Sequence, residues 1–370
     1  MSKSKPRIII SGGGTGGHIF PALSIAGAIE KIVPDTEILF VGAEGRMEME
    51  RVPQAGYEIK GLPVAGLQRK LSLSNFALPF KILKSLSMAK KIIREFKPDV
   101  AVGVGGYASA PLLWSAAGMN IPCLIQEQNS FAGLTNRILS KKADKICVAY
   151  SGMEKFFPAD KIILTGNPIR KEINPPTEAE KAEGYQFYEL NPEKKTIFVV
   201  GGSLGSGTLN KAMKRWVAEK GDQADYQIIW QNGKYYGSDI AEFMKERKLS
   251  NVKHFDFIRR MDLAYAVADV VISRAGAGTI SELCVAGKAT IFVPSPNVTE
   301  DHQTHNAMAL VEKEAALMVR DNEAEEVLMN VAEELLRDNE RILKLEKNVL
   351  KLGRKGAAEE IAREVLSLIK

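Results

Sequence analysis

The chain has 370 residues, 45% hydrophobic and 26% charged, which is enough to bury a full core and too long for one ordinary domain. Disorder is therefore excluded, and 50 basic against 45 acidic side chains, a net +5, give no nucleic-acid signature unless the charge is clustered. Cys123, Cys147 and Cys284 lie far apart in apolar contexts and read as reduced core residues of a cytosolic protein; no apolar leader precedes the first strand, and no run reaches the ~20 apolar residues of a spanning helix, so any membrane contact is expected to be peripheral.

In chain order, the runs RIIIS, EILFVG, YEIKG, VAVGVGG, PCLIQ, KICVAY and KIILTG read as strands, with helix-like stretches between most of them. That alternation predicts a parallel sheet covered by helices on both faces. A polar, proline-rich interval from Gly166 to Lys195 follows, and the pattern then restarts with TIFVVGGSLGSGTLNKAM, YQIIWQ, NVKHFDF, DVVISRAG, ATIFVPS and ALMVR. Both series open as strand, glycine loop, helix. The reading is an α/β protein of two Rossmann-like domains, 1–166 and 167–370, with parallel sheets facing across a cleft and a joint near Gly166 to Arg170. The Leu, Ile, Glu and Lys-rich run from Val327 to Lys370 predicts outer helices, the last packing back on the first domain.

The first loop, GGGTGGH, places Gly12, Gly14 and Gly17 in a G-x-G-x-x-G pattern after a strand, which would suit a nicotinamide dinucleotide. Against that, the second strand offers only Glu44 for a ribose, and no residues for hydride transfer are assignable. Glycines serving only a tight turn would leave His18 unexplained. A histidine on the first helical turn at a strand's carboxyl end faces the crevice where such sheets bind ligands, and its near-neutral pKa suits a general base. The stretch GVGGYASAP, Gly103 to Pro111, supplies a second anion-ready loop; Gly14, Gly105, Gly106 and Tyr107 are the candidates for holding a diphosphate on an acceptor. In IQEQNSFAG, the set Gln126, Glu127, Gln128 and Asn129 reads either as a reader of sugar hydroxyls or as a solvated turn. In SRAGAGTISELCVAGK a strand meets small residues and a helix start that expose N–H groups to a phosphate, with Glu282 placed either to clamp ribose hydroxyls or as a surface acid.

Asp301, His302 and His305 cluster, but a third firm ligand at defined spacing is missing and no metal is expected; His254 reads as a structural strand residue. The sought charge cluster lies between Arg69 and Lys97, where eight basic residues oppose Glu95 alone, a local net of +7. Leu73, Phe76, Leu78, Phe80, Ile82 and Leu83 are interleaved with them. Phe76, Phe80, Lys81, Ile82 and Lys84, with Trp114, form the candidate contact with an anionic lipid surface; the alternative is a core-facing stripe whose lysines are only solvated.

Seven stretches, GGGTGGH, GVGGYASAP, EQN, GNPIR, GGSLGS, RAGAGTISE and DHQTHNA, resemble the MurG family of glycosyltransferase family 28 in order and approximate spacing, from Arg7 to beyond Val319. The resemblance implies a GT-B fold and an inverting, cofactor-free and metal-independent transfer of GlcNAc from UDP-GlcNAc to the 4-hydroxyl of MurNAc in lipid I, giving lipid II. It places the acceptor in the first domain and the donor mainly in the second. Donor contacts carry over to Thr15, Gly16, Gly17, Asn129, Arg170, Ser203, Ile258, Ala277, Gly278, Thr279, Ile280, Ser281, Glu282 and Gln303. His18, Glu127 and Asn129 are the catalytic candidates. Implied partners are UDP-GlcNAc, lipid I, anionic phospholipid and the proteins of cell-wall synthesis and division, at the cytoplasmic face of the inner membrane. Gln126 stands where some members carry histidine, and Gly278 relaxes the RAGAG loop. Another GT-B UDP-sugar transferase acting on a lipid-linked or small acceptor is the alternative, and the paired glycine loops speak against it; an inactive nucleotide-sugar-binding protein would not need His18.

Overall fold

The computed structural model describes residues 5–64, 78–221, 223–247 and 249–369, and the chain divides into two compact units, Met1–Ile169 with Lys355–Lys370, and Arg170–Arg354. The first unit holds β1 (Arg7–Ser11), β2 (Glu37–Ala43), β3 (Glu58–Leu62), β4 (Val100–Gly103), β5 (Cys123–Glu127), β6 (Lys145–Val148) and β7 (Ile162–Leu164), all parallel, in the order β3-β2-β1-β4-β5-β6-β7. The second holds β8 (Thr196–Val200), β9 (Gln227–Gln231), β10 (Val252–Phe255), β11 (Val270–Ser273), β12 (Thr290–Phe292) and β13 (Leu317–Met318), also parallel, in the order β10-β9-β8-β11-β12-β13. Each strand lies, to within one residue at its end, in one of the apolar runs read from the sequence. Central strands are buried on both faces, so Ile8, Ile9 and Ile10 all pack inside and the run is continuously apolar rather than alternating. In each unit the strand order reverses beside the first strand, at β1/β4 and at β8/β11, and the crevice at those carboxyl ends is where such sheets bind ligands.

The helices are α1 (Gly16–Ile32), α2 (Glu48–Gln54), α3 (Leu78–Phe96), α4 (Ser109–Ala117), α5 (Leu134–Leu139), α6 (Glu178–Phe187), α7 (Gly207–Lys220), α8 (Gly237–Lys245), α9 (Met261–Val267), α10 (Ala277–Ala286), α11 (His302–Val311), α12 (Ala324–Arg337), α13 (Asn339–Leu350) and α14 (Ala357–Leu366). On one face of the first sheet, Ala89, Ile92 and Ile93 of α3 pack with Leu112 and Leu113 of α4 and Leu139 of α5. On the other, Ala22, Ile25 and Ile29 of α1 pack with Ile361, Ala362 and Val365 of α14. Burying Ile361 and Val365 stabilises this helix on the first unit by roughly 1.5–3 kcal/mol each, and Lys145 adds contacts to Glu364 and, at 2.7 Å, to Ser367 Oγ. In the second unit Leu328, Ala332 and Leu335 of α12 meet Leu209, Met213 and Trp216 of α7. All three cysteines are free and buried, and burial pushes each thiol up to about 12, which keeps them unreactive.

Candidate active site

At the β1/β4 switch point the two glycine loops of the first unit lie side by side. Ser11 is in register with Gly103, Val104 N–H donates to the Ser11 carbonyl at 2.7 Å, and the Ser109 hydroxyl lies 3.0 Å from the Ser11 carbonyl and 2.8 Å from that of Gly105. The loops approach so closely that side chains do not fit: a Cβ on Gly106, which has φ +87°, would stand 2.4 Å from the Gly13 carbonyl oxygen, and one on Gly105 would stand 2.8 Å from the His18 ring.

His18 is the third residue of α1, and its backbone N–H donates to Thr15 at 3.1 Å. Its ring Nδ1 lies 2.9 Å from the Gly13 carbonyl oxygen and 3.5 Å from Thr15 Oγ1. A carbonyl only accepts, so Nδ1 carries the hydrogen and Nε2 keeps its lone pair, the form of imidazole that takes a proton. Thr15, Gly17 and Tyr107 are exposed and Gly16 partly so.

The sequence reading missed Glu48. This acid is fully buried, and its carboxylate accepts Ala43 N–H at 3.0 Å and Gly14 N–H at 2.9 Å. Glu44, the acid weighed for a ribose, is exposed. The only signal for Glu48 was an acid in the first turn of the helix after β2, which Glu50 shares. The contact also corrects the expectation for Gly14: its N–H is spent on a carboxylate, and is not a donor for a diphosphate.

The set from Gln126 to Asn129 is also corrected, because its first three side chains are buried and satisfied inside the protein rather than solvated or turned to a sugar. Gln126 Nε2 donates to Asn167 Oδ1 at 2.9 Å, Asn167 Nδ2 donates to the Gln128 carbonyl at 3.0 Å, and Gln128 Nε2 donates to the Val104 carbonyl at 2.7 Å and to Gln126 Oε1. Glu127 accepts from Asn129 N–H at 3.0 Å, Asn129 Nδ2 at 3.2 Å, Gly133 N–H at 3.1 Å and Asn136 Nδ2 at 2.9 Å. Four donors on one carboxylate make Glu127 a bracket that orients Asn129. Asn129, partly exposed, is the member of the set that reaches the surface.

In the second unit β8 leads through GGSLGS to α7, whose first turn is capped by Ser206 Oγ accepting Leu209 N–H at 3.3 Å; Ser203 is exposed in this loop. Beyond β11, Gly276 caps α10, and the N–H groups of Ala277, Gly278 and Thr279 have no intrahelical acceptor, which leaves a helix start suited to an anion. Ile280 is buried with its N–H on the Gly276 carbonyl at 2.9 Å, and Ser281 Oγ donates back to the Ala277 carbonyl at 3.0 Å. Gln303 Oε1 ties the loop down by accepting Ala275 N–H at 3.1 Å and Ser295 N–H at 2.9 Å, leaving Nε2 to address a ligand.

Glu282 is buried, with Oε2 3.3 Å from the Tyr265 hydroxyl and 3.5 Å from Arg170 Nη1. Burial lifts its pKa above the ordinary carboxylate range, and the Arg170 guanidinium pulls it back down. Tyr265, fully buried, is raised well above the usual phenol range by the same desolvation. The arginine expected on a diphosphate and the acid expected on a ribose are therefore partners of one another here. Ile258 is buried, and its N–H donates to Gln231 Oε1 at 3.0 Å, so a base edge would meet the carbonyl of that residue.

His302 and His305 share α11, and His302 Nε2 faces Glu300 at 3.6 Å. Among the described residues no group of three or more His, Cys, Asp and Glu is placed to hold a metal ion. His254 lies half-buried on β10. Part of the basic, apolar stretch, including Arg69, Lys70, Leu73 and Phe76, lies outside the described residues. On α3, Phe80 and Leu83 are 75% and 64% exposed and Ile82 is half-exposed, whereas Ala89, Ile92 and Ile93 face the core. Trp114 on α4 is half-exposed, with Lys142 Nζ 4.5 Å from its ring centre. Among the described residues no helix is long and apolar enough to cross a membrane.

Residues 8–148 match the glycosyltransferase family 28 N-terminal domain and residues 196–361 the family 28 C-terminal domain. A protein of Parabacteroides distasonis named UDP-N-acetylglucosamine--N-acetylmuramyl-(pentapeptide) pyrophosphoryl-undecaprenol N-acetylglucosamine transferase is 56% identical over 365 residues, with 99% of each chain covered. One of the same name from Bacteroides thetaiotaomicron is 54% identical over 363 residues, covering 98% of this chain and 97% of its own. Among solved structures, Acinetobacter baumannii MurG superposes with a TM-score of 0.78 at 28% identity, covering 98% of this chain and 99% of its own. With both halves of the family matched in order and these relatives aligned end to end, the chain belongs to glycosyltransferase family 28, in its MurG branch, and its two parallel-sheet units are the GT-B fold.

Proposed function

We propose that the chain moves GlcNAc from UDP-GlcNAc to the 4-hydroxyl of MurNAc in lipid I, giving lipid II for peptidoglycan, with His18 as the general base. The names of its relatives support the reaction. The observation that carries the mechanism is the bond from His18 Nδ1–H to the Gly13 carbonyl at 2.9 Å, which leaves Nε2 basic beside the second glycine loop. Nε2 takes the hydroxyl proton, directly or through a water, as the acceptor oxygen forms its bond to the anomeric carbon. The bond from that carbon to the UDP oxygen breaks on the opposite face, its electron pair leaves with the diphosphate, and the configuration inverts to β. The N–H groups of Ala277, Gly278 and Thr279, with Ser203 and Arg170, stabilise the departing charge. Glu282 and Gln303 Nε2 hold sugar hydroxyls, and Asn129, oriented by Glu127, is a further polar contact for a substrate.

In this reading no divalent ion enters the chemical step, and the enzyme sits on the cytoplasmic face of the membrane through the exposed apolar and basic start of α3 and Trp114. The test is transfer of labelled GlcNAc to a short-chain lipid I analogue in EDTA, for the wild type and His18→Ala. Robust wild-type turnover with a loss of about a hundredfold in the variant is expected. Unchanged turnover in His18→Ala discards the base, no transfer by the wild type discards the reaction, and a strict manganese requirement discards the metal-free step.

A further inference from the structure

The peptide between Gly13 and Gly14 is held from both of its polar ends. Its N–H donates to Glu48 Oε2 at 2.9 Å and its carbonyl accepts His18 Nδ1–H at 2.9 Å. The second oxygen of Glu48 accepts Ala43 N–H at 3.0 Å, so the carboxylate is fixed to the end of β2. Glycine makes room for it twice: a Cβ on Gly13 would stand 2.1 Å from Oε1, and one on Gly42 would stand 2.5 Å from Cγ. Neither glycine has a positive φ, so it is the close approach of Glu48, not the backbone conformation, that excludes a side chain at both positions.

A carboxylate removed from water is costly unless its hydrogen bonds return the cost, and of its two bonds one anchors it to the end of β2 and the other ends on the loop that carries His18. We propose that Glu48 is a positioning residue for His18, acting through the Gly13–Gly14 peptide as a carboxylate bonded directly to an imidazole acts in other bases. The inference rests on His18 being the base of the transfer. A charge-assisted bond to the peptide N–H strengthens its carbonyl as an acceptor, because hydrogen bonds in a chain polarise one another. That carbonyl then holds Nδ1–H and stabilises the imidazolium formed when Nε2 takes the proton. It also fixes the direction of the peptide. Between two glycines the plane is easily turned over, and turned over it would present N–H to Nδ1 and select the opposite tautomer.

The test uses the full chain labelled with ¹⁵N-histidine, its four histidines assigned with His18→Gln. In the wild type at a pH where the ring is neutral, His18 is expected to show a protonated Nδ1 and a pyridine-type Nε2; a protonated Nε2 overturns the proposal without any variant. In Glu48→Gln the population is expected to move toward Nε2–H, with kcat down at least about tenfold and the KM for UDP-GlcNAc within about twofold. A loss of kcat with the tautomer unmoved makes Glu48 merely structural, and a moved tautomer with full kcat removes it from the reaction; both overturn the proposal. The spectrum needs no substrate, so its outcome is separate from whether the chain transfers GlcNAc.

Discussion

The crevice at β1/β4 and the crevice at β8/β11 come from the same strand order, yet they are furnished differently. In the first unit the glycine loop ends in an imidazole whose tautomer is set by a neighbouring carbonyl and, behind that, by a buried carboxylate. In the second the corresponding loops end in backbone N–H groups, and the nearby carboxylate, Glu282, is tied to Tyr265 and Arg170. On the proposed reading one topology serves proton chemistry in one half and anion recognition in the other, and what differs is the side chain on the first turn after the strand. Damage to the first crevice should appear in kcat and damage to the second in donor KM.

Gly106→Ala should strike hardest. Its φ of +87° and a Cβ 2.4 Å from the Gly13 carbonyl force the loops apart, costing about 1–3 kcal/mol of stability and, by displacing the acceptor of His18 Nδ1–H, about as much kcat as His18→Ala, roughly a hundredfold. Urea denaturation and the transfer assay read the two effects; full activity would mean that the loops are not interlocked as described.

Lys81→Glu with Lys84→Glu tests the basic start of α3. At about 1 kcal/mol for each cation removed, partitioning into phosphatidylglycerol vesicles should weaken by about thirtyfold or more, while turnover of a water-soluble acceptor stays unchanged. Unaltered partitioning would return the start of α3 to an ordinary solvated surface.

Arg170→Ala tests the second crevice. Loss of one charge-assisted bond should raise the KM for UDP-GlcNAc about tenfold with a smaller change in kcat; the reverse pattern would break the division of labour. A pH signature accompanies it. Burial raises the folded-state pKa of Glu282 above 4.5, so the native chain binds more protons than the unfolded one in the window above that value, and stability falls as pH rises through it. Arg170 opposes the shift. Without it the pKa rises further, and Tm should fall more between about pH 5 and pH 7 than in the wild type; an equal fall would show that the pair carries no electrostatic coupling.

Much of this was legible in order. Runs such as RIIIS and TIFVV announce buried parallel strands because a strand covered on both faces has no polar side, and glycines mark where each ends. His18 stood out because an imidazole at the end of a glycine loop has no structural reason to be there. The buried polar side chains were less readable. Gln126, Glu127, Gln128 and Asn129 are four polar residues in a row, and only the positions of Val104 and Asn167, 24 and 41 residues away, show that three turn inward and one reaches the surface.

By itself the sequence determined the succession of strands and helices, the glycine loops and the histidine in one of them, since periodicity and backbone freedom are local properties of the chain. The tertiary structure alone decided that Glu48, rather than Glu44 or Glu50, is the acid beneath the first loop, that Arg170 and Glu282 are partners, and that α14, expected on the first domain, meets α1 there. An amphipathic pattern or a charged residue states that a partner is needed; which partner is met depends on contacts between segments far apart in the chain, and no local signal carries them.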